Sequence, residues 1–134
     1  MRRTLGAVVI GLLVLAGCCP FTRICPIHEQ TTRGKLRHVV LFRFKAEATP
    51  QQIKAIEDGF RALPAKTGGV RYFEWGTDVS PEKLSDGFTH CFLVTFGDAK
   101  ARDAYLPHPA HKAFVEVLKP ILDKVLVVDY VAKK

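Results

Sequence analysis

The sequence predicts an α+β fold with the ferredoxin-like element order β-α-β-β-α-α-β, a single antiparallel sheet backed by helices on one face, with a second copy expected on the other. Three observations carry this. Four runs rich in β-branched and aromatic residues, at 38–45, 70–79, 88–96 and 125–131, read as strands. Two helical patterns fall between them, the second interrupted by Pro107 and Pro109. Both faces of the strands are apolar, although the helices can cover only one.

The first strand, "HVVLFRFK" at 38–45, sets His38, Val40, Phe42 and Phe44 on one side and Val39, Leu41 and Arg43 on the other. Thr49 can cap the first helix, Pro50 suits its first position, and Gln52 completes a capping box. Ile53, Ile56, Phe60 and Leu63 then mark one helical face, which "KTGG" at 66–69 ends. "VRYFEWGTDV" at 70–79 is the second strand and "SPEKLSDG" at 80–87 a loop. The third strand, "FTHCFLVTF" at 88–96, sets Phe88, His90, Phe92, Val94 and Phe96 against Thr89, Cys91, Leu93 and Thr95. Asp98 caps a short helix running to about Leu106. Ala110, Ala113, Phe114, Val117 and Leu118 form the face of the next helix, which Pro120 shortens, and "VLVVDYV" at 125–131 is the last strand. Val39, Leu41, Cys91 and Leu93 have no helix to cover them. The simplest cover is a second copy, packed sheet to sheet about a two-fold axis.

With 134 residues, 48% apolar and 25% charged, the chain suits one globular domain plus an appendage. Its net charge of +7 is spread along the chain, with no basic run and no aromatic–basic interleaving, so nucleic acid is not an expected partner. The charge also suits anionic lipid heads. The appendage is N-terminal. Arg2 and Arg3 precede an apolar run at 5–16 and small residues before Cys18, as in a secretory leader. That run is shorter than the ~20 residues a spanning helix needs. "LAGC" at 15–18 resembles the bacterial lipobox, which implies a lipid on Cys18 as the first mature residue. On this reading residues 1–17 are the signal, 18–36 a tether and 37–134 the domain, lipid-anchored in a bacterial cell envelope. An ordinary cleaved signal or a short uncleaved anchor is the alternative. Cys19 and Cys25 are free to pair in an oxidising compartment, without their spacing requiring it. Cys91 reads as a small buried strand residue. No zinc spacing is present, and neither a metal nor another cofactor is expected.

Chemistry concentrates in "YLPHPAHKAF" at 105–114. Pro107 and Pro109 stop one helix and start another, which puts Tyr105 and His111 on either side of a fixed corner. His108 and His111, three apart, share a helical face. An imidazole near neutrality removes a proton beside a carbonyl, and a tyrosine hydroxyl steadies the resulting oxyanion. The plainer alternative is a packed corner whose histidines bond to backbone carbonyls. His38 and His90 each begin a strand, and antiparallel neighbours start at opposite ends, so a joint metal site is not expected. His108 with His111 lacks a nearby carboxylate or thiol in sequence.

"HVVLFRFK", "GFTHCFLVTF", "YLPHPAHKAF" and "VLVVDY" together resemble the stress-responsive dimeric A/B-barrel (Dabb) family, over about His38 to Tyr130. The resemblance implies a homodimer whose two sheets close into a barrel. Within that family a polyketide cyclase works by aldol chemistry without metal or organic cofactor. Its catalytic histidine matches His111, its partnering tyrosine Tyr105, and its other pocket histidines His38 and His90. Val115 stands where that enzyme has glycine, and the large residues of the first helix differ. The leading expectation is a membrane-anchored homodimer with a small apolar pocket, lined by His38, His90, His108, Phe42, Phe92 and Phe114, for a hydrophobic or phenolic molecule. A cofactor-free cyclase or isomerase using His111 and Tyr105 is the second reading. The third is an interaction module whose pocket is filled by Phe42, Phe92 and Phe114.

Overall fold

The computed structural model describes residues 34–133. The leader, Cys18 and the Cys19–Cys25 pair lie outside the described residues. Seven elements follow in order: β1 (Leu36–Phe44), α1 (Pro50–Thr67), β2 (Val70–Thr77), β3 (His90–Phe96), α2 (Ala99–Tyr105), α3 (Pro109–Leu118) and β4 (Leu122–Val131). The strands form one sheet in the order β2-β3-β1-β4, with every neighbouring pair antiparallel. This is the ferredoxin-like α+β arrangement that the sequence predicts.

Local chemistry sets the boundaries. The capping box is present: Thr49 Oγ1 accepts from the Gln52 N–H at 3.3 Å, and Gln52 Oε1 accepts from the Thr49 N–H at 2.9 Å. Such a cap stabilises a helix by about 1 kcal/mol. Gly68 ends α1 at φ +64°, a left-handed conformation that glycine adopts without strain. β1 starts at Leu36, earlier than the strand pattern alone indicates, because Gly34 and Lys35 already bond to the backbone of Ala132. β4 also starts early, with Leu122 opposite Phe44. Asp123 and Lys124 break the apolar pattern there, and both are exposed. β2 stops at Thr77, where the Asp78 carboxylate accepts from the Ser80 N–H at 2.9 Å and turns the chain.

Leu36, His38, Val40 and Phe42 of β1 are buried on the helix side, together with His90, Phe92, Val94 and Phe96 of β3. Phe60 of α1 stacks on Phe92 with centroids 4.3 Å apart, at the centre of the core. α1 and α3 approach closely at Gly59, where an added Cβ would lie 3.2 Å from the Phe114 ring. On the opposite face, Leu126, Val128 and Tyr130 are exposed and Val39, Leu41 and Leu93 only half-buried. Cys91, read from sequence as buried, is exposed in the single chain because it belongs to this uncovered face.

Candidate functional site

The corner between α2 and α3 is built by its caps. The Asp98 carboxylate accepts from the Ala101 N–H at 2.9 Å and starts α2. After Tyr105 the chain turns, and His108 becomes the N-cap of α3, its Nδ1 accepting from the Ala110 N–H at 3.1 Å. Pro109 then occupies the first helical position, where no N–H is needed. His108 is committed to this cap and does not line the cavity beside it.

That cavity, of about 300 Å³, lies between the corner and the inward face of β1 and β4. His38, Val40 and Phe42 form its floor, His111, Phe114 and Val115 its roof, and Val125, Val127 and Asp129 its side. Val125 and Val127 are half-exposed, so the opening is along β4, an edge strand. The volume is at the small end of the range for ligand sites, and the lining is mostly apolar with polar atoms at one end.

His38 and His111 line the polar end, and the Tyr105 ring packs against both. Tyr105 is buried, 4.6 Å between ring centroids from His111 and 6.3 Å from His38. Its hydroxyl has no hydrogen-bond partner among the described residues, and burial raises its pKa far above the ordinary value. His111 Nδ1 lies 2.9 Å from the Leu106 carbonyl oxygen, to which it donates. Nε2 is therefore the nitrogen left for a bound molecule. Burial lowers the pKa of this imidazole, the Leu106 hydrogen bond partly offsets that, and the His38 charge lowers it further. His111 is accordingly neutral near pH 7 and able to accept a proton.

His38 is held from the other side. Its Nδ1 lies 2.6 Å from Asp129 Oδ1, and the other Asp129 oxygen accepts from Arg102 of α2. Burial pushes the Asp129 carboxyl upward, but the hydrogen bonds from His38 and Arg102 outweigh it and hold the group below the usual range. Sequence reasoning missed Asp129 and Arg102. The signal was one acidic residue within the apolar run at 125–131, at the register position directly opposite His38.

The structure thus brings His38, His111, Phe42 and Phe114 together around one cavity, with Tyr105 against His111. It sets His90 and Phe92 elsewhere. Phe92 is fully buried in the core. His90 sits toward the other end of the sheet, opposite Phe42, with Nε2 3.1 Å from Glu57 and Nδ1 2.8 Å from the Thr89 hydroxyl. No group of three or more metal-ligating side chains occurs among the described residues.

The sequence profile of the Stress responsive A/B Barrel Domain family matches residues 36–132. The stress-response A/B barrel domain-containing protein HS1 of Arabidopsis thaliana is 39% identical over 101 residues, 75% of this chain and 93% of that protein. Olivetolic acid cyclase of Cannabis sativa is 29% identical over 99 residues, 74% and 98% of the two chains. Among solved structures, the hydroxynitrile lyase of Passiflora edulis superposes with a TM-score of 0.70 at 27% identity, covering 75% and 94%. A dimeric ferredoxin-like protein of unknown function from Jannaschia sp. CCS1 superposes with a TM-score of 0.66 at 29% identity, covering 74% and 100%. With the profile spanning the sheet and all three helices, this chain belongs to the stress-responsive A/B barrel domain family.

Proposed function

We propose that the protein is a homodimeric A/B barrel that binds a small, largely apolar molecule carrying an oxygen function. The observation that supports this reading best is the asymmetry of the cavity: apolar walls, with His38 and His111 at one end and Tyr105, whose buried hydroxyl has no partner among the described residues, packed against His111. A buried hydroxyl without a partner costs about 1–3 kcal/mol, which a bound oxygen would relieve. The dimer is supported by the uncovered apolar face and by the dimeric relative from Jannaschia. Native mass spectrometry of the protein, gently extracted from its host, tests both parts. A dimer mass with a retained small molecule is expected. Leu41→Asp, which sets a carboxylate on the uncovered face, should give monomer or aggregate. A bare monomer from the parent protein would contradict the proposal.

A second reading is a cofactor-free enzyme that moves a proton at a carbon beside a carbonyl. Neutral His111 is the base in this reading, and Tyr105 donates to the oxyanion. The similarity to a cyclase and a lyase, each at under 30% identity, supports it. We also propose, from "LAGC" alone, that Cys18 carries lipid and holds the protein in a bacterial envelope. Cys18→Ser should then block processing or release the protein from membranes, and unchanged fractionation would refute it.

A further inference from the structure

We propose that the loop between β2 and β3 is an arm exchanged between two copies: Val79 and Leu84 of each copy pack over β4 of the other and wall the open side of its cavity. This rests on the homodimer and the ligand site given above and joins the two.

The loop is fixed in a form that stabilises nothing within one chain. Val79 and Leu84 are 90% and 80% exposed, more than any other large apolar side chain among the described residues. Yet the segment that carries them is tied at both ends. The Asp78 carboxylate accepts from the Ser80 N–H and from the Ser85 hydroxyl. Arg43 donates to the Asp86 carbonyl at 2.9 Å, and Lys124 to the Asp86 carboxylate at 3.2 Å. Lys83 and Asp86 hold φ of +57° and +48°, left-handed conformations that residues with a side chain seldom adopt. Gly87 lets Arg43 pass beneath, since an added Cβ would lie 2.8 Å from the Arg43 Cδ. Strained backbone held by several bonds, with two apolar side chains turned to water, marks a contact surface. Within the loop Asp78, Glu82 and Asp86 outnumber Lys83, which disfavours an anionic lipid surface as the partner. The root of the loop is continuous with the uncovered sheet face: Asp78, Ser85 and Phe88 line one surface hollow with Leu41, Gly76 and Cys91. The partner that covers the face is therefore the one that meets the loop.

Register says where. Thr77 pairs with His90, His90 with Phe42, and Phe42 with Val125, so the loop leaves β2 level with Val125 of β4. β2 and β4 are the two edges of the sheet. Two such sheets packed face to face about a two-fold axis along the strands set β2 of each copy beside β4 of the other, at the same height. An axis across the strands would set like edges together instead. The first arrangement matches the apolar surface that remains. Val125 and Val127 line the cavity, on the helix side of the sheet, and are half-exposed, so sheet-to-sheet packing leaves them uncovered. A loop reaching round the β4 edge at the level of Val125 covers them with Val79 and Leu84.

Photo-crosslinking of the full chain, with the photoreactive residue p-benzoylphenylalanine replacing Leu84, tests the contact. Irradiation should give a covalent dimer on a denaturing gel, linked within β4 near Val125 when its peptides are sequenced by mass spectrometry. If sedimentation shows a dimer that yields no covalent dimer, or one linked elsewhere, the homodimer stands and the arm falls. A monomeric parent takes down both. Leu84→Ser adds a second readout, since an exposed side chain can change without unfolding the chain. It should raise the dimer dissociation constant at least tenfold and weaken phenol binding several-fold by calorimetry, whereas Leu84→Met should keep both close to the parent. An unchanged dissociation constant or an unchanged phenol affinity in Leu84→Ser overturns the proposal, and this variant decides if the bulky photoreactive group prevents dimerisation. If the parent binds no phenol, the ligand reading falls and the crosslink alone decides the arm.

Discussion

His38 and His90 are the same residue in nearly the same setting. Both sit on the inward face of neighbouring strands, 5% and 7% exposed, and both lie beside a carboxylate, Asp129 or Glu57. They differ in what remains after those bonds. His90 has both nitrogens occupied, stacks parallel to Trp75 and meets the edge of Phe44 at 5.1 Å. His38 has one nitrogen tied and the cavity in front of the other. A buried histidine is therefore structural or functional according to whether its second nitrogen is already committed, and the pairing partner alone does not tell.

The largest expected difference lies in stability. His90→Ala should lower it by about 2–4 kcal/mol, by leaving Glu57 and Thr89 unpaired and opening a void in the aromatic cluster. His38→Ala should cost clearly less, because its space joins an existing cavity and Asp129 keeps Arg102. Urea denaturation of the two variants measures this. Equal losses would erase the distinction.

The carboxylates offer a finer version of the same contrast. Glu57→Gln keeps a hydrogen-bond acceptor for His90, so stability should change by no more than about 1 kcal/mol and ligand binding not at all. Asp129→Asn removes the charge beside the cavity and should alter affinity for a phenol by several-fold, read by calorimetry. Altered affinity in the Glu57 variant instead would move the site to the other end of the sheet.

Acid should also single out the cavity end. His111 has its pKa lowered in the folded state, so the unfolded chain binds more protons in the window below the ordinary value of about 6.5. Stability from this group is complete above that value and declines as pH falls toward the folded pKa. A thermal melt series from pH 7.5 to 5 should show the decline in the parent and a shallower one in His111→Gln. The smallest effect belongs to Tyr105→Phe. It removes a hydroxyl that has no partner among the described residues, so the melting temperature should hold or rise slightly. A drop equivalent to more than about 1 kcal/mol would mean that the hydroxyl is bonded in solution.

Much of this fold is legible in the sequence because its signals are local. Thr49, Pro50 and Gln52 announce α1, and alternation along 38–44 assigns the faces of β1 correctly. The corner at Pro107 and Pro109 is legible for the same reason, as is the approach of Tyr105 to His111. What is not legible depends on register across the sheet. Asp129 meets His38 only because β4 pairs with β1 in one alignment, and Arg102 reaches it from a helix 27 residues away. His90 looks like His38 in sequence; only the packing of Glu57 from α1 and of Trp75 from β2 shows its Nε2 bonded and its ring stacked. His108 looks like a pocket residue until its Nδ1 is found on the Ala110 N–H.

In the proposed function, small molecules bind at the end of the cavity lined by His38 and His111. Imidazole resonances of the folded protein, observed by NMR during titration with phenol, test that directly. The signals of His38 and His111 should shift and saturate together, while that of His90 stays in place. A saturable shift of His90 with His38 and His111 unmoved would contradict it.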